Sequence, residues 1–155
     1  MTKSMSAYRH TQVGWAVILP ILVVLGVTLG NLVLTPNSAE IILWVTILLA
    51  VVLSLFATLT VTVTDDEVEC RFGVGLIRRR IHLSQVQNAA VVRNKWYYGW
   101  GIRLTPGGWL WNVSGLDAVE LTFKNGKKFR IGTDEPDRLL QALPVGIGHG
   151  PSGTA

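Results

Sequence analysis

Two uncharged apolar stretches dominate the first part of the chain. No ionisable side chain lies between His10 and Glu40, and none lies between Glu40 and Asp65. At ~1.5 Å per residue, Val13 to Leu34 reaches roughly 33 Å and Ile41 to Leu59 roughly 28 Å, enough to cross a ~30 Å hydrocarbon layer. The pattern predicts two transmembrane helices, 13–34 and 41–59. A signal-peptide h-region of ~7–15 residues is shorter than the first stretch. A second apolar stretch follows at once, so the expectation is a helical hairpin. Thr35-Pro36-Asn37-Ser38 between the stretches supplies the breaker and turn formers of a tight reversal.

From Thr60 the pattern changes to alternation. Val61 and Val63 stand against Thr60, Thr62 and Thr64, the period of a half-buried strand, and no linker separates it from the second helix. A turn at Asp65-Asp66 that pairs Val63 with Val68 keeps the valines on one face. Gly73 and Gly75 lead into LIRRRIHL, where Ile77, Ile81 and Leu83 face one way and Arg78, Arg80 and His82 the other. AAVVR, residues 89–93, reads as a further strand. AVELTFKNGKKFRI, residues 118–131, is a hairpin. A three-residue loop Lys124-Asn125-Gly126 pairs Leu121 with Phe129 and Val119 with Ile131, whereas a two-residue loop scatters the apolar positions. This register sets Glu120 opposite Arg130 on an expected solvent face. Thr133 to Pro136 then start a helix whose buried side is Leu139, Leu140 and Leu143, ending before Pro144. The expected organisation is an N-terminal tail over 1–12, the two helices, a β domain over 60–143, and a disordered tail over 144–155, too rich in Gly, Ser and Pro to order itself.

Composition agrees with a membrane protein: 49% of the 155 residues are hydrophobic and only 15% charged. Lys3 and Arg9 precede the first helix, Arg71 and Arg78-Arg79-Arg80 follow the second, and the turn between carries no basic residue. The positive-inside rule therefore places both termini in the cytoplasm. The net charge of +4 finds its explanation in that topology and in anionic lipid headgroups, to which Arg78, Arg79 and Arg80 are the candidate contacts. Cys70, the single cysteine, alternates with charged neighbours in VECRF and is expected in the core.

Catalytic patterns are missing. His10, His82 and His149 are scattered and no second cysteine exists, so no zinc signature arises. Ser84 and Ser114 lie on no nucleophile elbow, and Gly73-Val74-Gly75 and Gly99-Trp100-Gly101 do not complete a phosphate loop. Asn112-Val113-Ser114 matches a glycosylation acceptor but sits in an expected cytoplasmic strand. No cofactor, metal or small-molecule substrate is expected.

Several short antiparallel strands closed by one amphipathic helix is the order of a pleckstrin-homology-like (PH-like) domain. GWGIRLTPGGWLWNVSGLDAVELTFKNGKKFRIGTDEPDRLLQAL, residues 99–143, resembles the C-terminal half of the bacterial PH-like domain found in small membrane proteins of uncharacterised function. The resemblance spans Thr60 to Leu143. It implies a bent sheet or partly open barrel with a C-terminal helix behind transmembrane segments, in a bacterial cytoplasmic membrane, and it implies no activity. Eukaryotic members that bind phosphoinositides carry basic residues around the loop after the first strand, where this chain has Asp65, Asp66 and Glu67.

The aromatic stretch YYGWGIRLTPGGWLW, residues 97–111, has few interleaved cations, and basic residues only slightly outnumber acidic ones after Asp65, so nucleic acid is not the expected partner. Trp109 and Trp111 share a strand face with Val113 and are expected in the core. Tyr97, Tyr98 and Trp100 are expected to be more exposed, at the membrane interface or against a neighbouring subunit. Gly26 and Gly30 form a GxxxG pattern that allows close helix packing, within the hairpin or between chains. The expected function is a membrane-anchored interaction or assembly module without catalysis, its partners the bilayer and either further copies of itself or another membrane protein. The alternative is a binder of anionic lipid surfaces.

Overall fold

The computed structural model describes residues 8–35, 39–144, 147–149 and 153–154. The chain begins with a strand, β1 (Tyr8–Val13), followed by helices α1 (Trp15–Leu34) and α2 (Ala39–Phe56) and by strand β2 (Thr58–Val63). β1 and β2 pair antiparallel from Val13↔Thr58 to Tyr8↔Val63. The two helices are thus the insert of a β ladder, and the Gly14 amide donates to the Ala57 carbonyl at 2.7 Å where both connections leave it. Residues 8–12, read from sequence as tail, are the first strand of the domain. Its inward side is Tyr8, His10 and Gln12, polar enough to hide the alternation.

Both helices are long and apolar enough to cross a membrane. Ile21 and Ile42 are buried, while Leu22, Val23, Val27, Ile41, Trp44 and Leu48 are exposed. Polar side chains return to their own backbone: Thr28 Oγ1 donates to the Val24 and Leu25 carbonyls, Asn31 Nδ2 to Val27, and Ser54 Oγ to Ala50. A medium without water demands such internal satisfaction. The reversal expected at Pro36-Asn37-Ser38 lies outside the described residues.

After β2 come β3 (Glu67–Phe72), β4 (Ile77–His82), β5 (Val86–Arg93), β6 (Gly101–Thr105), β7 (Gly108–Asn112), β8 (Asp117–Phe123), β9 (Lys128–Gly132) and helix α3 (Pro136–Gln141). One sheet has the order β1-β2-β3-β4 and the other β5-β8-β9-β7-β6, and the two do not close into a barrel. Among β1 to β9, pairing is antiparallel except between β7 and β9: β9 folds back from β8 into the gap beside β7, and so runs in β7's direction. Val61, Val63, Val68, Cys70, Phe72 and Ile81 of the first sheet face Ala89, Trp111, Val119, Leu121, Phe129 and Ile131 of the second, and Leu139 and Leu143 join this core.

The expected pairs Val63↔Val68, Leu121↔Phe129 and Val119↔Ile131 are present, and Gly126 supplies φ +79° in the hairpin loop. Glu120 and Arg130 are opposite each other as expected, but both are buried. The tail also differs from expectation. Ile147 is buried in the core, and Gly148–His149 and Gly153–Thr154 pair parallel with β5, whose edge β8 leaves open; the tail's other residues beyond Pro144 lie outside the described ones.

Candidate functional site

The helix-side end of the domain carries the turn between β3 and β4. Gly73 donates to the Thr58 carbonyl at 2.8 Å and Val74 to the Ser54 carbonyl at 3.2 Å, which pins the turn to the last turn of α2. Gly73 and Gly75 adopt φ +46° and +89°. The turn presents Val74 and Leu76 to the surroundings, 65% and 79% exposed. A Cβ at Gly73 would collide with the Ser54 and Leu55 carbonyls. Gly73→Ala is therefore expected to cost more than ~1 kcal/mol, since positive φ adds strain to the collision. Thermal unfolding in detergent, with hydrogen exchange at the Val74 amide, checks it: unchanged protection there would mean the turn does not need this contact.

Ladder register sorts the charges by distance from the helices. The row nearest them on the outer face of the first sheet holds Arg71 opposite Arg78, the next Glu69 opposite Arg80, and the next Glu67 opposite His82. Arg80 Nε is 3.3 Å from Glu69 Oε1 and 4.0 Å from Glu67 Oε1. Arg79 points to the other face, its guanidinium 4.6 Å from the Phe129 ring centroid. The candidate run Arg78-Arg79-Arg80 thus does not act as one surface: Arg79 stacks on the core and Arg80 is paired with acids. Arg71, which the sequence reading used only as a topological flank, joins Arg78 instead. Like charges directly opposite in a ladder repel, and this pair lies beside the exposed Val74–Leu76 turn.

On the other side of the helix bases, Val17, Val52 and Phe56 of the helices face Trp100, Gly101, Ile102 and Arg103 across a groove of about 290 Å³, with Val113 at its floor. Trp100 Nε1 donates to the Gly115 carbonyl at 3.3 Å, and Arg103 Nε to the Trp100 carbonyl at 3.1 Å. Gly26 and Gly30 lie farther along α1, and a Cβ at either would meet nothing within 4 Å. The GxxxG face is therefore open and makes no close packing with α2.

The aromatic residues divide differently from expectation. Trp96, Tyr97 and Tyr98 form a single 3-10 turn whose rings meet edge to face, with centroids 6.0 and 5.1 Å apart. Trp96, which the sequence reading passed over, is 77% exposed, while Tyr98 is only half-buried. Trp111 is buried as expected, but Trp109 is 43% exposed. The rings of Phe72 and Phe129 pack against Trp111 at 5.2 and 5.8 Å. That cover does not extend to Trp109, whose cross-strand partner is the exposed Leu104 on the edge strand β6.

Inside the domain, Glu120 accepts from Lys128 Nζ at 2.6 Å and from Arg130 Nε at 2.7 Å, and Arg130 Nη1 donates to Asn94 Oδ1 at 3.1 Å. Desolvation pushes the Glu120 carboxyl up, but the hydrogen bonds and charges of Lys128 and Arg130 outweigh it and hold the carboxyl below its ordinary range. Burial pushes the Cys70 thiol up to about 12, which keeps it protonated and unreactive. Among the described residues no three His, Cys, Asp or Glu side chains group as metal ligands. At the end remote from the helices, Asp65, Asp66, Glu67, His82 and Lys124 rim an open polar cavity of about 930 Å³, whose carboxylates disfavour a multiply charged anion.

No family model, curated protein or solved structure matches the chain.

Proposed function

We propose that the chain is a membrane-anchored module whose PH-like domain is held at a fixed height and orientation on the cytoplasmic face of a bacterial membrane, and that it works by association with other proteins, without catalysis. The observation that carries this reading is the insertion of both helices between paired strands. β1 and β2 are in register up to Val13↔Thr58, and the Gly14–Ala57 hydrogen bond closes the junction, so the domain has two stiff connections to the helices where a tethered domain has one loose linker. The succession of strands before a final helix supports the PH-like reading, and Arg9, Arg71 and Arg78 on the domain side support cytoplasmic termini. Leu104 on the edge strand β6 and Trp109 opposite it on β7 form an apolar pair, and such edges invite pairing. With the face of Gly26 and Gly30 open, helix packing between chains is the second route to assembly.

The test is oligomeric state in mild detergent, combined with reporter fusions after Ala155 and within Thr35 to Ala39. A cytoplasmic signal from the first and an external one from the second are expected. A defined assembly is expected to shrink on Leu104→Lys, or on Gly26→Leu with Gly30→Leu, without loss of thermal stability. A monomer that co-purifies with no stoichiometric membrane protein would sink the assembly reading, and an external C-terminal reporter the topology.

The Arg71–Arg78 row favours a second reading, a binder of anionic lipid surfaces. Each cation near such a surface is worth ~1 kcal/mol. Phosphatidylglycerol in the bilayer should then stabilise the full chain in a salt-sensitive way, and Arg71→Gln with Arg78→Gln should remove most of that effect. Equal stabilisation of the double variant would exclude it.

A further inference from the structure

We infer that the groove between the helix bases and β6 is a binding site for a single membrane phospholipid, with an acyl chain against Val17, Val52 and Phe56 and the headgroup phosphate on Arg103. The inference rests on the membrane-anchored reading and names a ligand for a site apart from the Arg71–Arg78 row. Val17 lies in the first turn of α1, and Val52 and Phe56 in the last two turns of α2. One wall of the groove therefore continues the apolar surface of the helices into the domain. The opposite wall is Trp100, Gly101, Ile102 and Arg103, and Arg103 is the only charged residue of the lining. Its Nε is held by the Trp100 carbonyl, which fixes the guanidinium plane, and no acid among the described residues pairs with its exposed Nη groups. A planar donor fork matches phosphate oxygens in pairs.

Gly101 adds to the argument. It takes φ +96° and has nothing within 4 Å of where a Cβ would stand, so the wall stays recessed where a chain must pass. β6 pairs with β7 alone among the described residues, and alternate backbone amides of an edge strand lack ladder partners. They are additional donors for an anionic headgroup. A free anion would find little on the apolar wall, and an uncharged hydrocarbon would leave Arg103 unanswered; a phosphodiester lipid satisfies both ends.

The experiment uses the full chain in nanodiscs containing phosphatidylglycerol, released and weighed by native mass spectrometry. The wild type is expected to retain a phosphatidylglycerol adduct. Arg103→Gln, an exposed position, should retain about fivefold less, the equivalent of ~1 kcal/mol for one surface cation at ~1.4 kcal/mol per decade. Val52→Trp, which fills the apolar end, should abolish the adduct while Arg103 remains. Diacylglycerol, with no phosphate, and inorganic phosphate, with no chain, should leave the wild-type melting temperature unchanged, whereas phosphatidylglycerol raises it. Equal retention by both variants and the wild type overturns the inference, as does equal stabilisation by diacylglycerol or by inorganic phosphate. The membrane-anchored reading fails separately, by release of the chain from membranes in an alkaline wash.

Discussion

Replacing Trp111 by Ala is expected to cost the fold about 3–5 kcal/mol, the range for deleting a buried aromatic side chain. Trp111 is 6% exposed and sits in a row of rings that starts on the last turn of α2: Phe56 meets Phe72 at 5.6 Å, Phe72 meets Trp111, and Trp111 meets Phe129. Phe72 and Phe129 are fully buried, so neither can swing into the vacated space without opening another gap, and the void stays. The row also joins the two sheets to the helix that carries the domain, so the loss should appear as loosening at the helix junction as well as in global unfolding. The comparison with the other rings makes this decisive. Trp96→Ala removes a 77% exposed side chain and should stay within about 0.5 kcal/mol of the wild type, and Trp109→Ala, at 43% exposure, should fall between Trp96→Ala and Trp111→Ala. Thermal and denaturant unfolding of the full chain in one detergent measures all three. Equal losses at Trp96, Trp109 and Trp111 would mean that the aromatic stretch packs as one unit and that no ring in it is left for a partner.

How much of this was legible in the sequence depends on how local the determining interaction is. The β8–β9 hairpin was readable to the residue pair, because only one loop length brings Leu121 to Phe129 and Val119 to Ile131. The helices were readable from composition alone, though α2 ends at Phe56 and Leu59 already belongs to β2, since an apolar β-branched run gives no mark where helix becomes strand. β1 was not readable. Its inward side chains are Tyr8, His10 and Gln12, and its order comes from residues 45 or more positions away: it pairs with β2, His10 meets Asp134 at 2.6 Å, and Gln12 Nε2 donates to the Ser114 carbonyl at 3.0 Å.

The candidate surface was partly legible. Period-two alternation already puts Arg79 on the face opposite Arg78 and Arg80, yet the run reads as one basic cluster. Only the β3–β4 register shows that Arg80 falls beside Glu69 while Arg78 falls beside Arg71. Trp109 and Trp111 alternate correctly onto one face, but how far the opposing sheet covers that face is a long-range fact. Arg103 carried no sequence signal. It becomes a candidate because folding sets it beside Val17 and Val52, residues far from it along the chain.

The second large effect is expected at Glu120. Its carboxylate is the shared acceptor for Lys128 and Arg130, and Arg130 is itself only 5% exposed. Glu120→Ala leaves that guanidinium buried with Asn94 as its remaining side-chain acceptor. Breaking a buried pair by removing one partner costs about 3–5 kcal/mol. The same physics gives a smaller loss for the double replacement Glu120→Leu with Arg130→Met, which removes both charges and should recover most of the single-variant loss, short of what the buried Asn94 loses with its Arg130 partner. The pH dependence follows from the sign of the carboxyl shift. Because Lys128 and Arg130 hold Glu120 below its ordinary range despite desolvation, the unfolded chain binds the proton more readily than the folded one. The stabilisation is therefore fully present above the ordinary glutamate value of ~4.3 and is lost as pH falls through the lower folded value. Unfolding measured from neutral pH down to about 3 should show the gap between wild type and Glu120→Gln narrowing only below about 4. A gap that stays constant across that range would mean that the three side chains stabilise the second sheet by packing and neutral hydrogen bonds, and that the ion pair contributes nothing.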